Sequence, residues 1–159
     1  MDKSAIRRNI RSLRLELTAQ QVELASIRVF QKVCSLHEMI CAQRIALYMS
    51  NENEIDTQLI LNWLVALGKT VCLPVIDQHS LLFYEYHPQR LVTNQFSIVE
   101  PDKSSCELYA IGDLDLIAVP LVAFDRERYR LGRGGGYYDR ALSEIRERKN
   151  RPFLVALAY

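Results

Sequence analysis

The sequence predicts an α/β fold of three layers, a mostly parallel sheet flanked by helices, with a helical pair at the N-terminus. Three observations predict it. Apolar residues recur at helical spacing over the first 36 residues. Short unbroken apolar runs stand at 44–50, 70–76 and 115–120. Amphipathic or turn-rich segments separate those runs. At 159 residues the chain has the size of one ordinary domain, and its 49% hydrophobic and 25% charged composition excludes intrinsic disorder.

Residues 3–17 form the first helix, with Ile6, Ile10, Leu13 and Leu17 on one face and Arg7, Arg11 and Arg14 on another. Thr18-Ala-Gln-Gln21 has the form of a capping box. It opens a second helix to about Leu36, with Val22, Ala25, Val29 and Val33 inward. Arg44–Ser50 is a short apolar strand and 51–54 a polar loop. Asp56 or Thr57 caps a helix carrying Leu59, Ile60, Trp63, Leu64 and Leu67, which Gly68 stops. Thr70–Ile76 is the next strand. Strand, helix and strand with short joins make a βαβ unit, so these two strands are expected to be parallel. Leu81–Tyr86 is a strand, 87–113 mostly loop, and Asp115–Pro120 a buried strand. Residues 130–136 form a loop, Tyr137 to about Arg148 a helix, and Pro152–Tyr159 a final strand. The chain shows no internal repeat.

Composition narrows the function. No apolar run approaches the ~18 residues of a membrane span, and the N-terminus lacks the apolar core of a secretory signal. A cytoplasmic protein without a membrane partner is expected. The cysteines at 34, 41, 72 and 106 form no C-x-x-C, and with His37, His79 and His87 they make no zinc-ligand spacing. They read as reduced thiols packed as small hydrophobes. The net charge of +1 hides an asymmetry: residues 1–14 carry +4, 126–151 carry +5, and 15–125 carry −8. The two basic ends either meet as an anion-attracting patch or are two solvated helix faces. The acidic middle and the lack of an RNA-binding aromatic pattern argue against a nucleic-acid partner.

The chemistry-bearing segment is Phe124 to Arg140, where four of the six glycines fall within 132–136. The loop follows an apolar strand and opens a helix, so inward-facing backbone N–H groups and a helix N-terminus suit an anion. Arg130, Arg133 and Arg140 add forked donors. It is neither a Walker A loop, since no Gly-Lys-Ser/Thr follows, nor G-x-G-x-x-G, since Tyr137 replaces the last glycine. A phosphate site and a tight turn whose glycines only permit packing both fit. Asp139, in the first turn of the next helix, either stabilises that helix or shares Mg²⁺ with phosphate. Glu54 follows a predicted parallel strand, where α/β ligands gather, and is either a ligand contact or a solvated loop residue. Lys3 and Arg7 share one helix face, by itself a solvated face.

Leu131-Gly-Arg-Gly-Gly-Gly-Tyr-Tyr-Asp-Arg140, preceded by Val119-Pro-Leu-Val-Ala-Phe-Asp125, resembles the signature of the 5-formyltetrahydrofolate cyclo-ligases, also called methenyltetrahydrofolate synthetases. Lys3-Ser-Ala-Ile-Arg7, Ala46–Ser50 with Glu54-Ile-Asp-Thr57, Gly68–Pro74 and Asp113–Ile117 follow in the family's order. The resemblance covers essentially the whole chain.

It implies an enzyme that uses ATP and Mg²⁺ to convert 5-formyltetrahydrofolate to 5,10-methenyltetrahydrofolate, releasing ADP and phosphate. It implies that Lys3 and Arg7 contact ATP phosphates, so that the basic ends converge. Arg130, Leu131, Gly132, Arg133, Gly134, Gly135, Gly136, Tyr137 and Tyr138 would wrap the nucleotide, with Arg133 to Tyr137 also facing the folate. Arg133 and Tyr137 would act at the chemical step, Tyr137 by stacking or through its hydroxyl. Asp139 would bind Mg²⁺, Met49 would line the pterin pocket, and Glu54 would hydrogen-bond the pterin ring. The sequence is expected to be one cyclo-ligase-like domain over 1–159, a monomer, lacking a C-terminal segment that in the family brings a further strand and a second metal-binding Asp. A folate- and nucleotide-binding protein without turnover is the alternative. Asp125-Arg-Glu-Arg-Tyr129 carries charge where the family often has a glycine.

Overall fold

A computed structural model describes residues 2–94 and 98–159. Helix α1 spans Lys3–Leu15, with Asp2 accepting from the Ser4 amide at 3.2 Å. Helix α2 spans Ala19–Cys34 behind the expected capping box, in which Thr18 and Gln21 satisfy each other's amides. Helix α3, His37–Cys41, is a single turn that was not anticipated. Its five residues are too few to show a helical period.

Strand β1 is Arg44–Ala46, helix α4 Gln58–Ala66 and strand β2 Thr70–Asp77. Strands β1 and β2 are parallel, as expected of the βαβ unit. The two proposed caps of α4 divide their work: Asp56 accepts from the Gln58 amide at 3.0 Å, whereas the Thr57 hydroxyl turns inward to the Tyr48 carbonyl at 2.6 Å. Strand β3, Ser80–Glu85, returns antiparallel to β2.

The stretch expected to be mostly loop contains structure. Strands β4 (Leu91–Thr93) and β5 (Val99–Pro101) make an antiparallel hairpin, and β6 (Leu108–Tyr109) pairs with β3. Residues 95–97 of that stretch lie outside the described residues. Strand β7 is Leu116–Val119, and β8 (Ala123–Phe124) pairs with β9 (Arg130–Leu131). At the tip of this hairpin Arg128 has φ 69°, a left-handed conformation that suits the glycine implied there by the family resemblance. Helix α5 is Tyr137–Ser143, shorter than expected, and β10 is Phe153–Ala156.

The main sheet has the order β10-β7-β1-β2-β3-β6, and its first four strands are parallel. Alternation along each strand divides the core into two layers. Ile45, Val71, Leu73, Leu116 and Ala118 pack toward Ile60, Leu61 and Leu64 of α4 and Val33 of α2. Ala46, Cys72, Ile117 and Val119 pack toward Ala141 of α5. This is the expected three-layer α/β arrangement. Of the cysteines only Cys72 is buried, its thiol pushed up to about 12 by desolvation and by nearby Glu85 and Glu107. Cys41 is exposed, so the reading of all four as packed hydrophobes is corrected there. No helix among the described residues is long and apolar enough to cross a membrane.

Candidate active site

Parallel strands β1 and β7 lie side by side, so the segments leaving their C-terminal ends emerge together. One carries Met49 and the loop to Glu54; the other leads through β8 and β9 to the glycine loop. They meet around a cavity of about 270 Å³, roughly the lower bound of a ligand pocket. Its walls include Arg7, Met49, Glu54, Arg130, Gly132 to Gly136, Tyr137, Tyr138 and Asp139.

Nearly all the residues singled out in the sequence thus face one space. Lys3 is the departure: it is exposed in the first turn of α1 and is not part of the wall. Leu131 lies within β9, next to the wall residues Arg130 and Gly132. The two basic ends converge: the Arg7 Nε donates to the Gly132 carbonyl at 2.8 Å. Positive φ at Gly134 (113°) and Gly136 (70°) turns the loop into α5. A Cβ built on Gly134 would lie 3.6 Å from the Arg7 guanidinium carbon, so the loop runs close beneath α1.

Glu54 is buried, its side chain 6% exposed. Its Oε1 accepts from Arg133 Nε at 3.2 Å, with Arg133 Nη2 at 3.1 Å, and its Oε2 accepts from the Asn51 amide at 3.2 Å. A second guanidinium, Arg14 Nη1, stands 3.7 Å from the same Oε1. Tyr48 and Tyr138 adjoin this cluster. Burial, and then the charge of Glu54, raises the Tyr48 phenol well above its usual range. Burial and then Tyr48 raise Tyr138 further. Both phenols therefore stay protonated at neutral pH and are not bases. The Tyr138 hydroxyl is buried without a hydrogen-bond partner, while Arg130 lies 5.8 Å from its ring centroid.

Tyr137 packs its ring against Arg140, whose guanidinium carbon is 4.9 Å from the ring centroid. Asp139 is 75% exposed at the rim and paired with Arg130. Among the described residues no group of three or more His, Cys, Asp or Glu side chains could hold a metal ion. A single carboxylate beside the glycine loop would suit Mg²⁺ bound together with a phosphate ligand, since Mg²⁺ takes most of its ligands from water and phosphate oxygens. It does not fit zinc, which needs three or four protein ligands.

Some wall residues were not found in the sequence. Asn94, Ile98, Val99 and Glu100 reach the cavity from the β4–β5 hairpin. The short apolar pairs Leu91-Val92 and Ile98-Val99 were the only signal for it. In the sequence Arg14 belongs to an arginine face of the first helix, and nothing in its spacing pairs it with Glu54.

The profile of the 5-formyltetrahydrofolate cyclo-ligase family matches residues 1–159. The chain belongs to that family. A 5-formyltetrahydrofolate cyclo-ligase of Haemophilus influenzae is 40% identical over 162 aligned positions, covering 99% of this chain and 85% of that one. The Escherichia coli K12 protein of the same name is 37% identical, covering 90% and 81%. The solution structure of Aquifex aeolicus 5,10-methenyltetrahydrofolate synthetase superposes with a TM-score of 0.85 at 33% identity, covering 100% of this chain and 78% of that one. A Mycoplasma pneumoniae 5,10-methenyltetrahydrofolate synthetase gives 0.74 at 25% identity, covering 93% and 81%.

Proposed function

We propose that this chain converts 5-formyltetrahydrofolate to 5,10-methenyltetrahydrofolate, using ATP and Mg²⁺ and releasing ADP and phosphate. The observation that carries this reading is the single cavity in which the glycine loop and Arg7 face Met49 and Glu54. A phosphate cradle and a carboxylate suited to a pterin edge then share one space.

The chemistry explains the need for ATP. The formyl carbonyl on N5 is amide-like, and its oxygen is a poor leaving group. That oxygen attacks the γ-phosphorus, and the bond to the ADP oxygen breaks. The resulting imidate phosphate is electrophilic at carbon. N10 attacks there and loses its proton, and the C–O bond breaks with departure of phosphate. The product keeps the carbon as a methenyl bridge between N5 and N10. No protein nucleophile is required; the enzyme supplies position and charge neutralisation.

Each residue has a task in this scheme. Arg7, Arg130, Arg133 and the amides of Gly132 to Gly136 hold the phosphates, with Lys3 closing from the solvent side. Arg133 neutralises charge on the transferring group. Glu54 accepts from the 2-amino group and ring N–H of the pterin, and Met49 packs on the ring. Tyr137 flanks the reacting centre. Mg²⁺, held by Asp139 with phosphate oxygens, supplies further charge neutralisation.

The test is a spectrophotometric assay of the purified chain with 5-formyltetrahydrofolate, Mg²⁺ and ATP, following the near-ultraviolet band of the methenyl product. An ATP-dependent rise is the expected result. A folded sample that binds both ligands without any rise would favour the alternative of binding without turnover.

A further inference from the structure

We propose that Arg14 is the positioning residue for Glu54: it holds the buried carboxylate aimed while Arg133 is engaged with phosphate. This rests on the assignment of Glu54 to the pterin.

A carboxylate only 6% exposed needs a compensating charge, since its desolvation is otherwise unrepaid. Two arginines supply it, and they differ in kind. Arg133 sits on the glycine loop with a side chain 42% exposed, and its Nη2 also reaches the Asn51 carbonyl at 3.1 Å and Glu52 at 3.8 Å. The phosphate chemistry calls on Arg133 directly. When it turns to a phosphate, Glu54 loses its nearer cation.

Arg14 stays where it is. Its side chain is 12% exposed, and its Nη2 donates to the Leu121 and Val122 carbonyls at 3.1 and 3.3 Å, just beyond β7. Its backbone is tied to the Glu54 loop as well. Asn53, at φ 54°, donates its side-chain amide to the Arg14 carbonyl at 2.9 Å and to the Leu17 carbonyl at 3.2 Å. The loop therefore takes its position from the same residue whose guanidinium faces its carboxylate. Beside the pair lies a mostly apolar cavity of about 410 Å³, walled in part by Ile10, Leu13 and Leu121.

A lysine could not replace this arginine. The guanidinium reaches two carbonyls with one nitrogen and the carboxylate with another, and an ammonium has a single nitrogen.

The experiment measures binding of 5-formyltetrahydrofolate and of a non-hydrolysable ATP analogue to the purified chain, to Arg14→Gln, Arg14→Lys and Glu54→Gln, and to the Arg14→Gln/Glu54→Gln double variant. Thermal melts accompany each. The unsubstituted chain must bind the folate; if it does not, the functional reading itself fails and this proposal with it. Given that binding, Arg14→Gln should weaken folate affinity by at least ~10-fold, as loss of one partner of a buried charge pair commonly does, and change nucleotide affinity by less than ~2-fold. Arg14→Lys should lose most of the same affinity. Adding Arg14→Gln to Glu54→Gln should cost nothing further, because Arg14 acts through Glu54. Losses that add in the double variant, equal losses for both ligands, or full function of Arg14→Lys would each overturn the proposal. Should Arg14→Gln fail to fold, the charge-keeping Arg14→Lys decides alone by the same selectivity.

Discussion

Arg7 and Gly132 lie 125 residues apart in the chain, yet the Arg7 Nε donates to the Gly132 carbonyl at 2.8 Å. Helix α1 has no buried residue, so it is held by polar ties of this kind. Others include Arg11 to Glu52, Arg14 to Glu54 and to the carbonyls after β7, and Asn53 to the last turn of the helix. Arg7→Ala should raise the KM for ATP by at least ~10-fold, the scale of losing a charge-assisted contact, and speed amide exchange in α1. Steady-state kinetics and hydrogen exchange would check this; an ATP KM within twofold of the starting value would contradict it.

Arg133 contacts Glu54 and lines the cavity beside the glycine loop. Its replacement by alanine should lower kcat by at least ~10-fold, as loss of a charge-stabilising donor does. Unchanged turnover in a folded variant would remove Arg133 from the chemical step.

Gly136 and Gly68 share φ 70°, but their surroundings differ. A Cβ on Gly136 would come within 2.8 Å of Arg140 Nη1, whereas one on Gly68 would meet nothing within 4 Å. Alanine at either position should cost ~1–2 kcal/mol of stability from left-handed backbone strain. Only Gly136→Ala should also lower activity. Melting temperatures and rates for the two variants separate strain from loop geometry.

Tyr48 and Tyr138 predict an alkaline limit. Burial raises both phenols in the folded state, so above pH 10 the unfolded chain releases protons that the native chain retains. Fewer protons on the unfolded state means that stability falls as pH rises. Stability contributed by the buried, neutral phenols is complete below pH 10 and declines above it. Denaturant melts from pH 8 to 11 should show this slope, and Tyr138→Phe should flatten it. Because the Tyr138 hydroxyl has no partner in the structure, this variant should be no less stable at pH 8.

Asp139 is the one carboxylate proposed for Mg²⁺. Asp139→Asn should raise the Mg²⁺ concentration for half-maximal activity several-fold and leave folate KM nearly unchanged. A Mg²⁺ titration with equal midpoints for both proteins would exclude Asp139 as a ligand.

Local chemistry determined much of this protein from sequence alone. Thr18 and Gln21 cap α2 because a capping box needs only four residues. The βαβ unit from β1 to β2 was legible because each element has its own period. The glycine loop was recognisable because positive φ and close approach demand glycine wherever they occur, and the residues carried over from the family motif, Arg7, Met49 and Glu54 among them, line the same cavity as that loop. Lys3 and Leu131 stand outside the wall: one turn of helix carries Lys3 from Arg7 toward solvent, and Leu131 lies within β9 between two wall residues.

The tertiary structure decided what depends on partners distant in the chain. The β4–β5 hairpin has strands of three residues, too short for a period, and gains definition by packing against β2. Helix α5 ends at Ser143 where the helical pattern ran on to about Arg148, so the proposed phosphate contacts draw on arginines and loop amides more than on a long helix dipole. Arg14 looked like one more member of a solvated face. Its meaning came from Glu54, 40 positions along, and from the two carbonyls after β7, none of which any local spacing could bring to it. Sequence periodicity reports what a residue does within its own element; a buried charge is defined by its counter-charge, and only the folded chain brings the two together.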